Sequence, residues 1–276
     1  MSCYYSCKIY DSGFDKSDNT SSMRFDAYIP GELLRPFVKS FIIQEAALEA
    51  TYKVLPGTSV VIGFQYKGKL SRIDSQKEIA LSASGITGLH DCYRIFKNSP
   101  DIGTVLVYFT DTGATAFFKE PLHELFKESI SLDNFMLRST LLIIEEQLNE
   151  AKTDKERIKV VEDFLISRMQ QKQPDTLVST TLTLIYKSKG DIRIKDLITQ
   201  LHISQSPLEK RFRRAVGTSP KKFASIVRLK HVIQNYNPQN SLTRLGYEAG
   251  FYDQAHFIKE FKAFTGETPE SFFQAQ

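Results

Sequence analysis

A nine-residue pattern occurs twice near the end of the chain, and it restricts the fold more than any other feature. Phe212-Arg-Arg-Ala-Val-Gly-Thr-Ser-Pro220 returns as Phe261-Lys-Ala-Phe-Thr-Gly-Glu-Thr-Pro269, with phenylalanine, glycine and proline each displaced by 49 residues. Self-similarity at a fixed spacing marks a duplicated supersecondary unit. In the first copy, Ile194, Leu197, Ile198 and Leu201 form an apolar helical face, and His202-Ile-Ser is a short turn. Ser204 or Ser206 can cap the next helix, Glu209 completing a capping box from Ser206, and Pro207 is tolerated in a first turn. Leu208 and Phe212 face inward, with Lys210, Arg211, Arg213 and Arg214 around them. In the second copy, Ser241 opens a helix that Gly250 closes, and Asp253 caps the next, where Phe257 and Phe261 face inward. A short helix, a tight turn and a basic second helix form a helix-turn-helix pattern.

Between the units, Pro220 to Tyr236 reads as one helix of about 17 residues, about 25 Å long, with Phe223, Ile226, Val227 and Ile233 packed against both. Such a strut could hold two recognition helices about 34 Å apart, one turn of B-DNA. Charge agrees: from Pro174 onward there are 15 Lys and Arg against 9 Asp and Glu, whereas residues 1–173 carry 21 against 23. A basic terminal third on a slightly acidic body suits contact with nucleic acid by one domain.

The first 130 residues read mostly as strands. Val54 to Leu70 is β-branched and aromatic with Pro-Gly and Lys-Gly-Lys turns, and Gly103 to Gly113 is another short apolar run. Closely spaced glycines point to an antiparallel sandwich or barrel. Helical spacing takes over after Pro121. A helical stretch beginning at Ser131 carries Leu141, Ile144 and Leu148, and a capping box at Thr153-Asp-Lys-Glu156 opens a helix with Ile158, Val161 and Leu165 on one stripe. Gln170-Gln-Lys-Gln-Pro-Asp175 is the clearest boundary.

Leu208…Phe212…Gly217…Pro220, followed by Gly246-Tyr-Glu-Ala-Gly-Phe-Tyr-Asp-Gln-Ala-His-Phe-Ile-Lys-Glu-Phe-Lys…Thr-Gly-Glu-Thr-Pro269, closely resembles the AraC/XylS transcription regulators. The resemblance covers about 100 residues, from Thr180 to Phe273; where the family closes with an aromatic residue and an arginine, this chain has Phe272-Phe273-Gln274. It implies base contacts from Ser206, Glu209, Lys210, Gln254, Ala255 and Lys259. Arg213, Arg214, Lys221, Lys222 and Lys262 suit phosphates, which position the protein without specifying sequence. The family usually adds a sensory or dimerising domain, often cupin-like, and Leu55-Pro-Gly-Thr-Ser-Val-Val-Ile-Gly-Phe-Gln resembles the start of one.

The expected fold class is α+β: a cupin-like β-sandwich or barrel over 1–130, helices over 131–173 and an all-α double helix-turn-helix over 174–276. Phe64, Tyr66 and Tyr108 are candidate pocket residues, Phe64 and Tyr66 sharing a strand face, with an ordinary core as the alternative. Leu141, Ile144 and Leu148 are a candidate dimer surface, with packing on the same chain as the alternative. Expected partners are double-stranded DNA, an unidentified small-molecule effector and a second copy, with RNA polymerase as a further contact.

Other chemistries fit less well. Gly63-Phe-Gln-Tyr-Lys-Gly-Lys-Leu70 lacks the Ser/Thr of a P-loop and reads as strand and turn. His90 and His123 are far apart, without the His-x-His pair of a metal cupin, and Cys92 in Asp91-Cys-Tyr-Arg lacks a methyl-accepting motif. No cofactor or metal is expected and an enzyme is disfavoured; the alternatives to a small-molecule sensor are an N-terminal domain that binds a protein partner and an enzyme domain fused to the DNA-binding domain. Three cysteines (Cys3, Cys7, Cys92), no signal-peptide core and no apolar run near 18–20 residues point to the cytoplasm and away from the membrane.

Overall fold

The computed structural model describes residues 23–170, 173–239 and 241–274, so Cys3 and Cys7 lie outside the described residues. Ten strands precede nine helices among them. A six-stranded antiparallel sheet contains β1 (Met23–Tyr28), β2 (Val38–Ala46), β9 (Ile102–Phe109), β4 (Val61–Lys67), β7 (Ser84–Thr87) and β10 (Ser129–Ser131), in that spatial order. A four-stranded antiparallel sheet contains β3 (Ala50–Val54), β8 (Arg94–Asn98), β5 (Leu70–Asp74) and β6 (Lys77–Ala80). The short alternating segments between turns thus build two sheets rather than one.

Register fixes which residues share a face. Val61, Gly63 and Gln65 of β4 stand opposite Tyr108, Leu106 and Thr104 of β9, and Thr104 stands opposite Gln44 of β2. This polar and glycine-bearing face turns toward the four-stranded sheet and bounds a cavity. Ile62, Phe64 and Tyr66 point the other way, because side chains alternate along a strand. There they meet α1 (Arg138–Glu150) and α2 (Asp154–Arg168): Phe64 packs edge-on against Phe164 and Arg157 lies over Tyr66.

Of the two, only α2 starts at a side-chain cap; α1 begins after Leu137 without one, later than the start expected at Ser131. Ser131 caps a 3₁₀ turn over Leu132–Asn134, three residues ahead of α1. Thr153 and Glu156 form the reciprocal capping box at α2. The stripe of Leu141, Ile144 and Leu148 is real, but those side chains are 0%, 2% and 1% exposed within their own chain. The dimer-surface expectation for them is therefore corrected: they are core, closing the helix layer over the sheet. The apolar residues that α1 leaves in solvent are Leu142 and Ile143.

After Asp175, which caps α3 (Thr176–Lys187), the chain is helical: α4 (Ile194–Gln200), α5 (Gln205–Val216), α6 (Pro220–Gln234), α7 (Leu242–Glu248), α8 (Gln254–Thr265) and α9 (Pro269–Gln274). One apolar cluster runs from the β layer through Leu122 and Leu125 into Leu208, Phe212 and Val216 of α5. A second joins Leu55 to Ile226, Phe257, Phe261 and Phe272. The β-rich and helical parts are packed together, not strung on a linker.

Candidate nucleic-acid interface and ligand cavity

The two repeats end and restart their helices in the same way. Helix α5 ends at Gly217 with φ 98°, and α8 ends at Gly266 with φ 87°. Both are left-handed C-terminal positions that strain any residue bearing a Cβ. Pro220 opens α6 and Pro269 opens α9, each placed where its missing N–H has no helical partner. Helix α5 starts at Gln205 with Ser204 as its N-cap, so Ser206 lies inside the first turn and the box with Glu209 does not form. Asp253 accepts from the His256 amide 2.7 Å away and sets the start of α8.

Burial sorts the two recognition helices as the repeat requires. Leu208, Phe212, Phe257 and Phe261 are no more than 1% exposed. Ser206, Lys210, Arg213 and Arg214 on α5, and Gln254, Ala255, Lys259 and Lys262 on α8, are exposed; Glu209 is half-buried. Glu209 accepts from Gln205 at 2.8 Å and lies 3.5 Å from Arg213. Arg211 is spent on a two-pronged pair with Asp175, which straps α5 to the start of α3.

The structure also shows what the repeat could not. The turn Leu122–Leu125 of the β-rich part packs against α5, and His123 shares an open groove with Ser206, Glu209, Lys210 and Arg213. Lys221 is exposed, but Lys222 pairs with Asp91 of the β-rich part rather than standing free for phosphate. Lys127 joins them 2.7 Å from Asp91. Burial raises the Asp91 pKa, but hydrogen bonds and charge from Lys127 and Lys222 outweigh it and hold the carboxyl below its usual value. Lys53 pairs with Glu267, and a Cβ on Gly266 would come within 2.8 Å of the Tyr93 ring. Both helix-turn-helix units are thus held to the β-rich part through residues that carry no signature of their own in the sequence.

Behind this contact lies a cavity of about 180 Å³ between the sheets. Of the three pocket candidates, Tyr108 lines it; Phe64 and Tyr66 do not, because they face the helix layer. Gln44, Arg72, His90 and Thr104 line it and were missed. A usable signal was present: Leu70-x-Arg72 and Arg94-x-Phe96 place arginines at the inward positions of two strands. Burial depresses the His90 pKa to about 4, and its Nδ1 hydrogen-bonds the Cys92 carbonyl at 2.7 Å.

Two short-helix, turn, basic-helix units joined by α6 and packed on a two-sheet β domain define a helix-turn-helix DNA-binding chain with a β-rich partner domain. Residues 197–275 match the family model described as a helix-turn-helix domain and are a domain of the AraC type. Residues 26–131 match a family described as "Domain of unknown function (DUF6597)". The Msm operon regulatory protein of Streptococcus mutans is 26% identical over 155 residues, 54% of this chain and 55% of that protein. The chain therefore aligns with about half the length of that curated relative. Among solved structures, ToxT from Vibrio cholerae is similar at TM-score 0.46 and 12% identity, covering 92% of this chain and 98% of its own. The AraC-like transcriptional activator CuxR is similar at TM-score 0.31 and 11% identity, covering 82% and 84%. Among the described residues no helix is long and apolar enough to cross a membrane.

Proposed function

We propose that this chain is a sequence-specific DNA-binding transcription regulator whose β-rich domain receives a small-molecule signal. The observation that carries the reading is the pair of recognition helices, each with its apolar side buried and a polar, basic side in solvent. Gln254 suits adenine, Lys210 and Lys259 suit guanine, and Ala255 suits a thymine methyl, with Ser206 and Glu209 completing the reading set. Arg213, Arg214, Lys221 and Lys262 take phosphates, and Lys222 joins them when it leaves Asp91. The domain limits we propose are 1–130 for sensing, 131–173 for the linking helices and 174–276 for DNA. The regulator works in the cytoplasm, without catalysis, as a homodimer that contacts RNA polymerase. With Leu141, Ile144 and Leu148 in the core, Leu142 and Ile143 are the apolar surface α1 offers a second copy.

The test is titration of the full chain with duplex DNA at several salt concentrations. A chain that neutralises about four phosphates, with Lys222 still on Asp91, should show a log–log salt slope near −3.6. Binding that is absent, or independent of salt, refutes the reading.

A further inference from the structure

We propose that the cavity between the two sheets binds a small monoanion, a compact apolar body bearing one carboxylate that pairs with Arg72, with Arg94 adding positive charge from behind the wall at Ser129. This deepens the small-molecule reading above and rests on it for the ligand's use, though not for its binding.

The argument starts from charge. Arg72 of β5 stands opposite Phe96 of β8, which makes Arg94 its diagonal neighbour on the inward face. Arg94 is 9% exposed and donates to the Ser129 hydroxyl at 3.1 Å, a neutral acceptor on the cavity wall. Among the described residues no carboxylate lies within ion-pair distance of it. Arg72 lines the cavity; its Nη2 is 3.6 Å from the exposed Asp74, and its buried Nε has no partner. Burial and the nearby Arg72 push the Arg94 pKa down, and Cys92, Glu128 and Asp74 do not restore it. Two guanidinium groups on neighbouring strands in a poorly solvated region are costly, and a two-oxygen anion is the partner that the planar donors of Arg72, the one facing the cavity, fit. On the opposing sheet, Thr104 is 1% exposed with its hydroxyl at the cavity and no partner.

The remaining walls set the rest of the ligand. Val54, Val61, Ile79 and Leu106 are apolar. The Gln44 amide already donates to Tyr52, and the Gln65 amide to the Leu81 and Ser82 carbonyls, so neither is free to hold a polyhydroxylated body. His90, at the wall, is neutral at pH 7 and adds no competing charge. Gly63 and Gly85 pair across β4 and β7 and leave that floor empty. An engineered apolar cavity of about 150 Å³ holds benzene, so about 180 Å³ admits roughly seven to nine heavy atoms.

Thermal unfolding of the full chain, without DNA, tests this with four probes: benzoate, hexanoate, neutral benzamide and inorganic phosphate. At least one carboxylate at about 10 mM should raise Tm by about 3 °C, and benzamide and phosphate should not. Arg72→Gln should abolish the shift and raise the Tm of the ligand-free chain, because it removes the charge beside Arg94. Gly63→Val should abolish the shift while touching neither arginine, since its Cβ projects beside Leu106 and Thr104. Silence from both carboxylates, an equal response to benzamide or phosphate, or a shift that survives Arg72→Gln overturns the proposal. DNA titration is read separately, so failure of the regulator reading leaves this result interpretable.

Discussion

Stability should fall as the pH drops from 7 to 5, and His90 is the residue responsible. Its imidazole is 7% exposed, with Nδ1–H donating to the Cys92 carbonyl in the neutral form. Burial is the main reason its pKa drops from 6.5 to about 4; Arg94 and Lys127 push the same way, while the Cys92 carbonyl and Asp91 resist. The sign follows from where the proton binds. The unfolded chain takes it near pH 6.5 and the folded chain refuses it until about pH 4, so the unfolded state gains protons in between. The contribution is whole above pH 6.5 and is lost progressively toward pH 4. At about 1.36 kcal/mol per pH unit, the full loss is about 3 kcal/mol, of which about 2 is gone by pH 5. Asp111, raised by burial, acts in the opposite direction at the acid end of this window, and Asp91 and Asp175, held low, act below pH 4. The difference between wild type and His90→Gln isolates the imidazole, because the glutamine amide can still donate to the carbonyl. Urea unfolding at pH 7, 6 and 5 should show wild type losing about 2 kcal/mol more than the variant. Parallel losses in the two proteins would mean that the folded chain holds a charged or solvated His90, and the argument from burial would fail.

Leu141→Ala should cost about 2–5 kcal/mol and leave the sedimenting mass unchanged, because the side chain is fully buried within its own chain; a stable variant with a changed mass would return it to a dimer surface. Lys259→Ala should lose about 1–3 kcal/mol on the preferred site and relax its sequence preference, whereas Lys262→Ala should weaken all sequences alike and reduce the salt slope by about one. Competition titrations separate the two, and equal losses on specific and random DNA would show that the reading face of α8 is misplaced. Asp91→Ala frees Lys222 for a phosphate and should steepen the salt slope by about one; an unchanged slope would place Lys222 away from the duplex.

The DNA-binding units were legible because their local chemistry is dense. Asp253 and Ser241 cap where expected, Gly217 and Gly266 end their helices, and the phenylalanine pairs are buried. Of the two serines the sequence offered, Ser204 takes the N-cap position, without a capping bond from its hydroxyl, because both serines satisfy the same preference. The β domain was legible in its strands but not in its faces. Alternation correctly put Phe64 and Tyr66 together, yet the six-stranded sheet is covered on both sides, so apolar character alone could not say which side held the cavity. The discriminating residues were the glycines and polar side chains between them, Gly63, Gln65 and Thr104. The stripe on α1 failed in the same manner: periodicity identifies a face that must be covered and is silent on what covers it.

Residues 90–94 draw the two halves of the molecule together. His90 lines the cavity, Asp91 holds Lys222 at the start of α6, Tyr93 packs on the glycine that ends α8, and Arg94 is half of the arginine pair. Four of these five residues therefore reach the cavity or its wall, the strut between the units and the second unit. The first unit is held elsewhere, by Leu122 and Leu125 against Leu208 and Phe212, with His123 beside the side chains we propose read bases. On the proposed reading, a duplex that receives Ser206, Glu209 and Lys210 meets the turn bearing His123, and any shift of that turn loosens its packing on α5. A ligand can influence that step only through a difference in its affinity for the docked and released arrangements. Arg94 and His90 supply a route for such a difference, since moving either strains the backbone that positions Asp91 and Tyr93. Any coupling must also be reciprocal, so that DNA alters ligand affinity by the factor with which ligand alters DNA affinity.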